Sequence, residues 1–354
     1  MYGCQQILIT PNSELKAILE YIGTEANKLS NCGLYYARQM YFKAGKIVSK
    51  FDLHKQLNRN PHFGALQSQT AQQTLTTIAE SFKSFIGLLK AYKKGTITER
   101  PKLPNYRKQG LTLVTYPSQA VKLIDGLLRF PLGSKVKAWF GLDAFYLPMP
   151  SNLDYKSIRE FRVLPRNGCF YIEFVYKLEQ VLSDVNPDFV LGIDPGLNNW
   201  LTCISNVETS FIVDGKHLKC LNQFYNKQIS RSLLGGSFRP ESFATIKEKK
   251  PQGFWSNKLA AITEKRNRQM RDATNKAARK VINHCLDNKI GTLVFGWNKG
   301  QKDSSNMGSV NNQKFVSVPT ARLKDRINQL CEQYGIKFVE TEEAYTSKAS
   351  FQGQ

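Results

Sequence analysis

Residues 189–196 read Phe-Val-Leu-Gly-Ile-Asp-Pro-Gly, an apolar run that stops at an acid and a turn. A short apolar run closed by Pro-Gly is typical of a buried strand that ends at the surface. The pattern predicts a strand over Phe189 to Ile193, with the Asp194 carboxylate emerging where that strand meets solvent. An Asp beside Pro-Gly is also a common way to begin a turn, so this second interpretation stays open.

The elements that follow this strand predict an α/β layer. They are strands over Trp200 to Ser205 and Ser210 to Val213, a long helix over about Asn257 to Asp287, a strand over Ile290 to Gly296, a helix over Thr320 to Tyr334 and a strand over Ile336 to Glu342. The order β-β-β-α-β-α-β is that of an RNase H-like fold. In that fold the fourth strand lies beside the first, and the fifth lies beside the fourth.

The amino-terminal part of the chain predicts helices first and short strands later. Asn12 or Ser13 can cap a helix that carries apolar residues at helical spacing from Leu15 to Leu29, and a second such run extends from Leu75 to Leu89. Together these runs predict a helical hairpin. A basic, Pro-rich link over residues 100–108 cannot continue the second helix.

Residues 111–180 predict a small all-β unit, after a first strand at Gln6 to Thr10. Asp125-Gly126 and Asn167-Gly168 separate β-prone runs, and such dipeptides supply the positive φ angles of tight hairpins. We therefore predict one domain from residues 1–10 and 109–182, a helical domain with its link from residues 11–108, and an α/β domain from residues 186–354.

The charge of the chain predicts an acidic partner. Lys and Arg number 50 against 28 Asp and Glu, a formal charge of +22. An excess of this size is the usual footprint of nucleic-acid binders, although a basic surface kept for solubility is the alternative. We find no signal for secretion and no apolar run long enough to span a membrane, which predicts a cytoplasmic, nucleoid-associated protein.

The seven cysteines are scattered and are never spaced as Cys-x-x-Cys. This spacing argues against a disulfide framework and against a zinc site, so we expect reduced, mostly buried thiols and no zinc.

Candidate nucleic-acid contacts lie on the long helix and in the basic link. They are Lys265, Arg266, Arg268, Arg271, Lys276, Arg279 and Lys280 on the helix, and Lys102, Arg107 and Lys108 in the link, with Tyr106 and Arg166 as weaker candidates. Guanidinium groups pair bidentately with phosphate. The alternative is a solvated helix face, because Glu264 and Asp272 can pair with some of these cations. Tyr35, Tyr36 and Tyr41 are candidates for base stacking or, at helical spacing, for the core.

Several segments resemble one known family. They are residues 1–6 (MYGCQQ), 192–202 (GIDPGLNNWLT), 263–272 (TEKRNRQMRD), 295–300 (FGWNKG) and 345–348 (YTSK). They resemble TnpB proteins, also called OrfB-type insertion-sequence transposases, and the likeness is to cyanobacterial members. The resemblance implies an RNA-guided DNA endonuclease with guide RNA and DNA as partners. It also implies a helical recognition domain, a β-barrel wedge-like domain and a RuvC domain, and it makes Asp194 a catalytic metal ligand with Mg²⁺ as the cofactor.

The fourth predicted strand departs from the family pattern. Most members end this strand with a Glu, whereas here it runs into Gly296-Trp297. The next strand ends in acids, so Glu343 or Glu342 is the expected second catalytic residue, with Asp194 and Glu343 as metal ligands. Alternation predicts Glu340 and Glu342 on one face and Glu343 on the other. A solvated acidic strand end is the alternative.

The family pattern continues into a zinc ribbon and a third catalytic Asp, neither of which is in this sequence, and Asp303 and Asp325 are the spare acids nearby. A carboxylate pair or triad is what holds two divalent metals for phosphodiester hydrolysis. The expectation is a truncated TnpB-like protein that binds guide RNA and DNA and is deficient in cleavage. The alternatives are an active metal-dependent endonuclease and a DNA strand-transfer transposase.

Overall fold

The structure is a computed structural model, and it describes residues 1–196, 198–234, 256–297 and 318–342. The chain forms two compact units, one of Tyr2–Leu178 and one of Glu179–Gln354 together with Met1. The three-domain division therefore stays a prediction, because the helical and β segments before residue 179 belong to one unit.

The first unit contains the predicted helical hairpin. Its elements are β1 (Tyr2–Ile9), α1 (Ser13–Ala44), α2 (Lys50–Leu57), α3 (Pro61–Ala65), α4 (Ser68–Lys93), β2 (Val114–Pro117), β3 (Lys122–Ile124), β4 (Leu127–Pro131), α5 (Ser134–Phe140), β5 (Ala144–Pro148), β6 (Ile158–Arg166) and β7 (Cys169–Lys177). Asn12 caps α1, accepting a hydrogen bond from the Leu15 amide at 2.8 Å. α1 packs against α4. The hairpin is confirmed, with two short helices between its arms.

The strands of this unit form two antiparallel sheets. The orders are β1-β7-β6-β2 and β3-β4-β5. Asp125 and Asn167 have φ angles of 48° and 53°, as predicted for hairpin turns. Rings from both sheets meet in the core, where Phe130 stacks on Phe145 at 4.8 Å and contacts Phe161 edge to face at 5.5 Å. One apolar core therefore joins the helices and both sheets.

The basic link lies along α1 and is held there by polar side chains of the helix. Asn27 donates to the carbonyls of Lys108 and Gly110 at 2.9 and 2.8 Å. Asn31 exchanges hydrogen bonds with the Arg107 backbone at 2.8 and 3.1 Å, and Arg38 donates to the Pro104 carbonyl at 2.7 Å. These bonds replace the backbone partners that a Pro-rich segment cannot find in a helix or sheet.

The second unit contains the α/β layer. Its elements are β8 (Asn186–Asp194), β9 (Asn199–Ser205), β10 (Ser210–Asp214), α6 (Lys216–Leu234), α7 (Asn257–Asp287), β11 (Ile290–Gly296), α8 (Thr320–Tyr334) and β12 (Lys337–Thr341). The sheet order is β10-β9-β8-β11-β12. β11 is parallel to β8 and β12, and β9 is antiparallel to its neighbours. The fourth strand thus lies beside the first and the fifth beside the fourth, as predicted.

One face of this sheet is buried and carries the core of the unit. Leu191 and Ile193 on β8 are aligned with Leu293 and Phe295 on β11, and all four are at most 4% exposed. They pack in one cluster with apolar residues of α7 and α8. α6, which the sequence analysis did not predict, packs against α7.

The thiols correct one expectation from the sequence. Cys203, Cys285 and Cys331 are buried, but Cys4 and Cys220 are exposed, so the expectation of mostly buried cysteines is wrong. Burial raises the pKa of each of the three buried thiols to about 12.

Within the described residues, no helix combines the length and apolar character that crossing a membrane requires.

Candidate functional site

Asp194 ends β8 and is exposed, as the sequence of residues 189–196 predicted. Its register partner on β9 is Thr202. Successive strand residues point to opposite faces, so Asp194 lies on the face of the sheet away from buried Ile193. The carboxylate is therefore presented at the carboxyl end of a central strand, where bound groups meet α/β sheets.

The strands beside Asp194 do not supply a second acid at the same level. The register aligns Ile193 with Phe295 and Phe295 with Glu340, and its next step sets Asp194 beside Gly296 and Thr341. Because aligned residues share a face, the face of Asp194 carries a glycine and a threonine at this level. The fourth predicted strand, β11, therefore places no acid beside Asp194.

The last strand, β12, contains one glutamate and is followed by two more. Glu340 is aligned with Phe295 on the core face and is paired with Lys324 of α8. Glu342 follows β12 and is exposed, whereas Glu343 lies outside the described residues. Glu340 and Asp194 are therefore on opposite faces. The assignment of Glu342 or Glu343 as a catalytic residue and metal ligand stays a prediction.

The described residues contain no group of three or more His, Cys, Asp or Glu side chains placed to hold a metal ion. Of the two spare acids named above, Asp325 is exposed on α8, and Asp303 falls in the part of the chain that is not described. On β11, the parallel strand next to Asp194, no carboxylate lies at the same level, and Asp214, which is also exposed, ends β10 two strands away. A single carboxylate suits one Mg²⁺ ion that shares its remaining positions with water and phosphate, but it does not suit a two-metal cluster.

The basic stripe of α7 divides into buried and exposed parts. Arg266 donates to Asn222 of α6 at 2.6 and 3.0 Å and lies over the Tyr225 ring at 5.3 Å. Burial lowers the pKa of this guanidinium, yet it stays charged because the ordinary value is so high. Arg266, a predicted nucleic-acid contact, thus has its donors engaged in holding α6 on α7.

Six predicted contacts are exposed along α7. They are Lys265, Arg268, Arg271, Lys276, Arg279 and Lys280. Arg268 lies 3.9 Å from Glu264, and Lys276 pairs with Asp272 at 2.8 Å, one turn away. Both ion pairs are those of the alternative interpretation, a solvated helix face. The Lys276–Asp272 pair is exposed on both sides and is worth less than about 1 kcal/mol, so phosphate can compete for Lys276, whereas Glu264 is buried.

A basic cavity of about 730 Å³ opens where the last turns of α7 meet α8 and β10. Its cations are Lys276, Arg279 and Lys280 from α7 and Arg326 from α8, and Asp287 is its one acid. The sequence analysis named the three residues of α7 but not Arg326, which comes to this place only through the packing of two helices.

Aromatic rings hold two of these cations in position. Arg279 donates to the Tyr334 hydroxyl at 2.9 Å and lies 5.4 Å from the centre of its ring. Lys280 lies 5.4 Å from the Phe211 ring centre. Such contacts restrain long side chains without neutralising their charge. The cavity is therefore positively charged and partly pre-organised.

His284 lines the same cavity, although no spacing in the sequence marks it as a functional residue. Its Nε2 lies 3.0 Å from the Thr209 hydroxyl, and its ring packs on Phe211 at 4.6 Å. Partial burial lowers the pKa of His284, nearby Lys280 lowers it further, and Asp287 opposes the shift. The surroundings of His284 therefore favour the neutral imidazole.

The predicted contacts in the link belong to the first unit. Lys102, Arg107 and Lys108 are exposed. Of the tyrosines considered for base stacking, Tyr35 is 58% exposed, whereas Tyr36 and Tyr41 pack against the core. The exposure of Tyr35 therefore fits base stacking, whereas Tyr36 and Tyr41 belong to the core.

Comparison with known proteins agrees with the resemblance found in the motifs. The family model OrfB_IS605, described as a probable transposase, matches residues 173–301. No curated protein matches the chain. The family match confirms, over these residues, the resemblance to OrfB-type, or TnpB-type, proteins.

Solved structures similar to this chain are Cas12 complexes. A chain of a Cas12f1-sgRNA-target DNA complex has a TM-score of 0.55 at 15% identity, over 97% of this chain and 75% of that one. A chain of a CRISPR-Cas12f ternary complex has a TM-score of 0.36 at 15% identity, over 95% and 73%. A chain of a Cas12i-crRNA-dsDNA complex has a TM-score of 0.38 at 11% identity, over 96% and 55%. The first of these superpositions indicates a shared mixed α/β fold.

Proposed function

We propose that this TnpB-like chain binds guide RNA and DNA and is deficient in DNA cleavage. The observation that carries the first part is the basic cavity beside α7, where four cations face one acid. A formal charge of +22 on the whole chain supports the same conclusion, because such charge is stable in a compact protein when a polyanion neutralises it.

The cavity suits the phosphodiester backbone rather than a small apolar ligand. Its lining places ammonium and guanidinium groups on two helices, and Asn275 and Asn283 add amide groups between them. Contacts of Lys, Arg and Asn to phosphate fix the position of a nucleic acid without reading its sequence. Sequence would then be read by pairing with the guide strand, as in RNA-guided complexes.

The sheet end supports the second part of the proposal. Phosphodiester hydrolysis by a two-metal site needs acids that converge on one face, and the neighbours of Asp194 on β9 and β11 are Thr202 and Gly296. Asp194 would be the ligand for Mg²⁺, the cofactor that the family resemblance implies, and that ion would polarise a phosphate oxygen. Glu342 and Glu343 remain the candidates for a second ligand.

The proposed architecture is an RNase H-like RuvC domain over residues 186–354, preceded by a helical recognition domain and a β-barrel wedge-like domain. The sheet order β10-β9-β8-β11-β12 supports the first of these. The location proposed for such a protein is the cytoplasm, in association with the nucleoid.

Binding and cleavage are tested side by side on the full chain purified with RNA transcribed from its own locus. Binding of a matched target duplex is measured by gel shift, and cleavage is measured with labelled target in Mg²⁺ or Mn²⁺. We expect retained RNA, target binding and no cleavage above that of an Asp194→Ala variant. Cleavage that disappears in Asp194→Ala would refute the deficiency and leave binding intact. A chain that is folded by circular dichroism but retains no RNA and binds no duplex would refute the binding proposal itself.

A further inference from the structure

Exposed aromatic rings lie where the basic link contacts α1, in the other compact unit from Asp194 and the basic cavity. Tyr35 and Phe42 on α1 are 58% and 63% exposed, and Tyr106 of the link is 43% exposed. Tyr35, Arg38 and Phe42 are three and four residues apart, so they share one face of the helix. Large rings grouped at the surface mark contact sites more often than isolated ones do.

Arg38 joins the two segments that carry these rings. Its guanidinium lies 5.6 Å from the Phe42 ring centre and 5.4 Å from that of Tyr106. It also donates to the Pro104 carbonyl at 2.7 Å, which fixes its position. A cation held between two rings restrains both of them, so the surface they form is ordered before any ligand arrives.

The chain around these rings is basic and contains no acid. Residues 35–45 include Arg38 and Lys43, residues 100–108 include Arg100, Lys102, Arg107 and Lys108, and neither stretch contains Asp or Glu. Charge complementarity therefore selects an anionic partner. An anionic partner that also covers aromatic rings is a nucleic acid with accessible base faces.

We propose that Tyr35, Arg38, Phe42 and Tyr106, the ring platform, bind unpaired bases of single-stranded nucleic acid by stacking. The inference rests on the proposed function and adds a second contact surface, in the other compact unit, with its own specificity. Bases in a duplex are already stacked on one another, so the ring platform selects single strands. Stacking uses base faces and not the 2′-hydroxyl, so RNA and DNA strands both satisfy it.

The test compares full-length variants in their affinity for three labelled probes of equal length: single-stranded RNA, single-stranded DNA and duplex DNA. The main variant is Phe42→Ala with Tyr106→Ala, and the ring-preserving variant is Phe42→Tyr with Tyr106→Phe. Phe51→Ala is the matched control, because Phe51 is 71% exposed and also lies beside a lysine, at 5.2 Å from Lys50, but lines a groove with Pro117 and Gln119 that includes no residue of the link. A 2-aminopurine base in the strands reports stacking by fluorescence quenching.

Loss of one stacked base weakens binding by about 5- to 150-fold. We expect a loss in that range for both single-stranded probes with the alanine variant, lost quenching, and an unchanged affinity for duplex. The ring-preserving variant and Phe51→Ala should bind as the wild type does. Wild-type affinity of the alanine variant for single strands, or an equal loss for duplex, would overturn the ring platform. If the wild-type chain bound none of the three probes, the proposed function would be overturned instead.

Discussion

Removing the cations of the basic cavity should weaken duplex binding and reduce its dependence on salt. The variant is Lys276→Gln with Arg279→Gln and Lys280→Gln, which leaves Arg326 as the remaining cation of the cavity lining. Each phosphate contact contributes about 0.9 to the slope of log K against log salt, which corresponds to about 8-fold in affinity at 0.1 M salt.

The present partners of the three cations determine how many phosphate contacts the variant should lose. Lys276 already pairs with Asp272 at 2.8 Å, so part of its gain with phosphate is offset by breaking that pair. Arg279 and Lys280 contact rings only through cation–π interactions and one hydroxyl, and they keep their full charge for phosphate. Two to three lost contacts predict a slope smaller by about 1.8 to 2.7 and an affinity lower by about 60- to 500-fold.

The assay is fluorescence anisotropy of a labelled duplex titrated with protein at several salt concentrations between 50 and 200 mM, about the range in which such slopes are resolved. The control variant carries Lys216→Gln, Lys227→Gln and Lys337→Gln, three exposed lysines of the same unit that do not line the cavity. Both variants change the net charge by the same amount. Equal slopes and equal losses in the two variants would refute a localised phosphate site and leave only a general effect of charge.

Three further predictions concern groups described above. The pKa of His284, measured by NMR, should lie below its ordinary value. Folding then favours the neutral imidazole, so the free energy of unfolding should fall as the pH drops below about 6.5. Bound duplex should raise this pKa if phosphate enters the cavity. Cys4 and Cys220 should react with a thiol reagent in the native protein, whereas the three buried thiols should react only after unfolding, and fast native labelling of all seven would contradict their burial. Asn27→Ala removes two hydrogen bonds to the link and should lower the free energy of unfolding in urea by about 1 to 3 kcal/mol, with Asn226→Ala, at a half-buried position of α6, as the control.

Local signals in the sequence were sufficient for much of the fold. The cap at Asn12, the turns at Asp125 and Asn167, and the exact bounds of α7 and α8 follow from nearest-neighbour chemistry that acts within one or two turns. The order of the five-stranded sheet followed from the order of its elements along the chain. α6 was not predicted, although Leu218 and Ile229 are buried at helical spacing.

The candidate site was harder to predict because it depends on packing between distant segments. Glu340 lies on the face opposite Asp194, and its pairing with Lys324 requires α8 to lie on the sheet. The same holds for Arg266, whose partner Asn222 is on another helix, and for Arg326 in the basic cavity. A stripe of cations identifies a helix face, and only tertiary contacts decide which of its members are engaged inside the protein.

The attachment of the link to α1 restricts where this chain can gain or lose residues. From Asn31 to Arg38 the helix advances by about 10 Å, and three extended residues from Pro104 to Arg107 cover about the same length. One inserted residue would shift the link by about 3.3 Å, or two helix positions, and the asparagine anchors would no longer meet their carbonyls. Length variation among related chains should therefore occur in the exposed turns before Pro104, and segments grafted into this protein should be placed there.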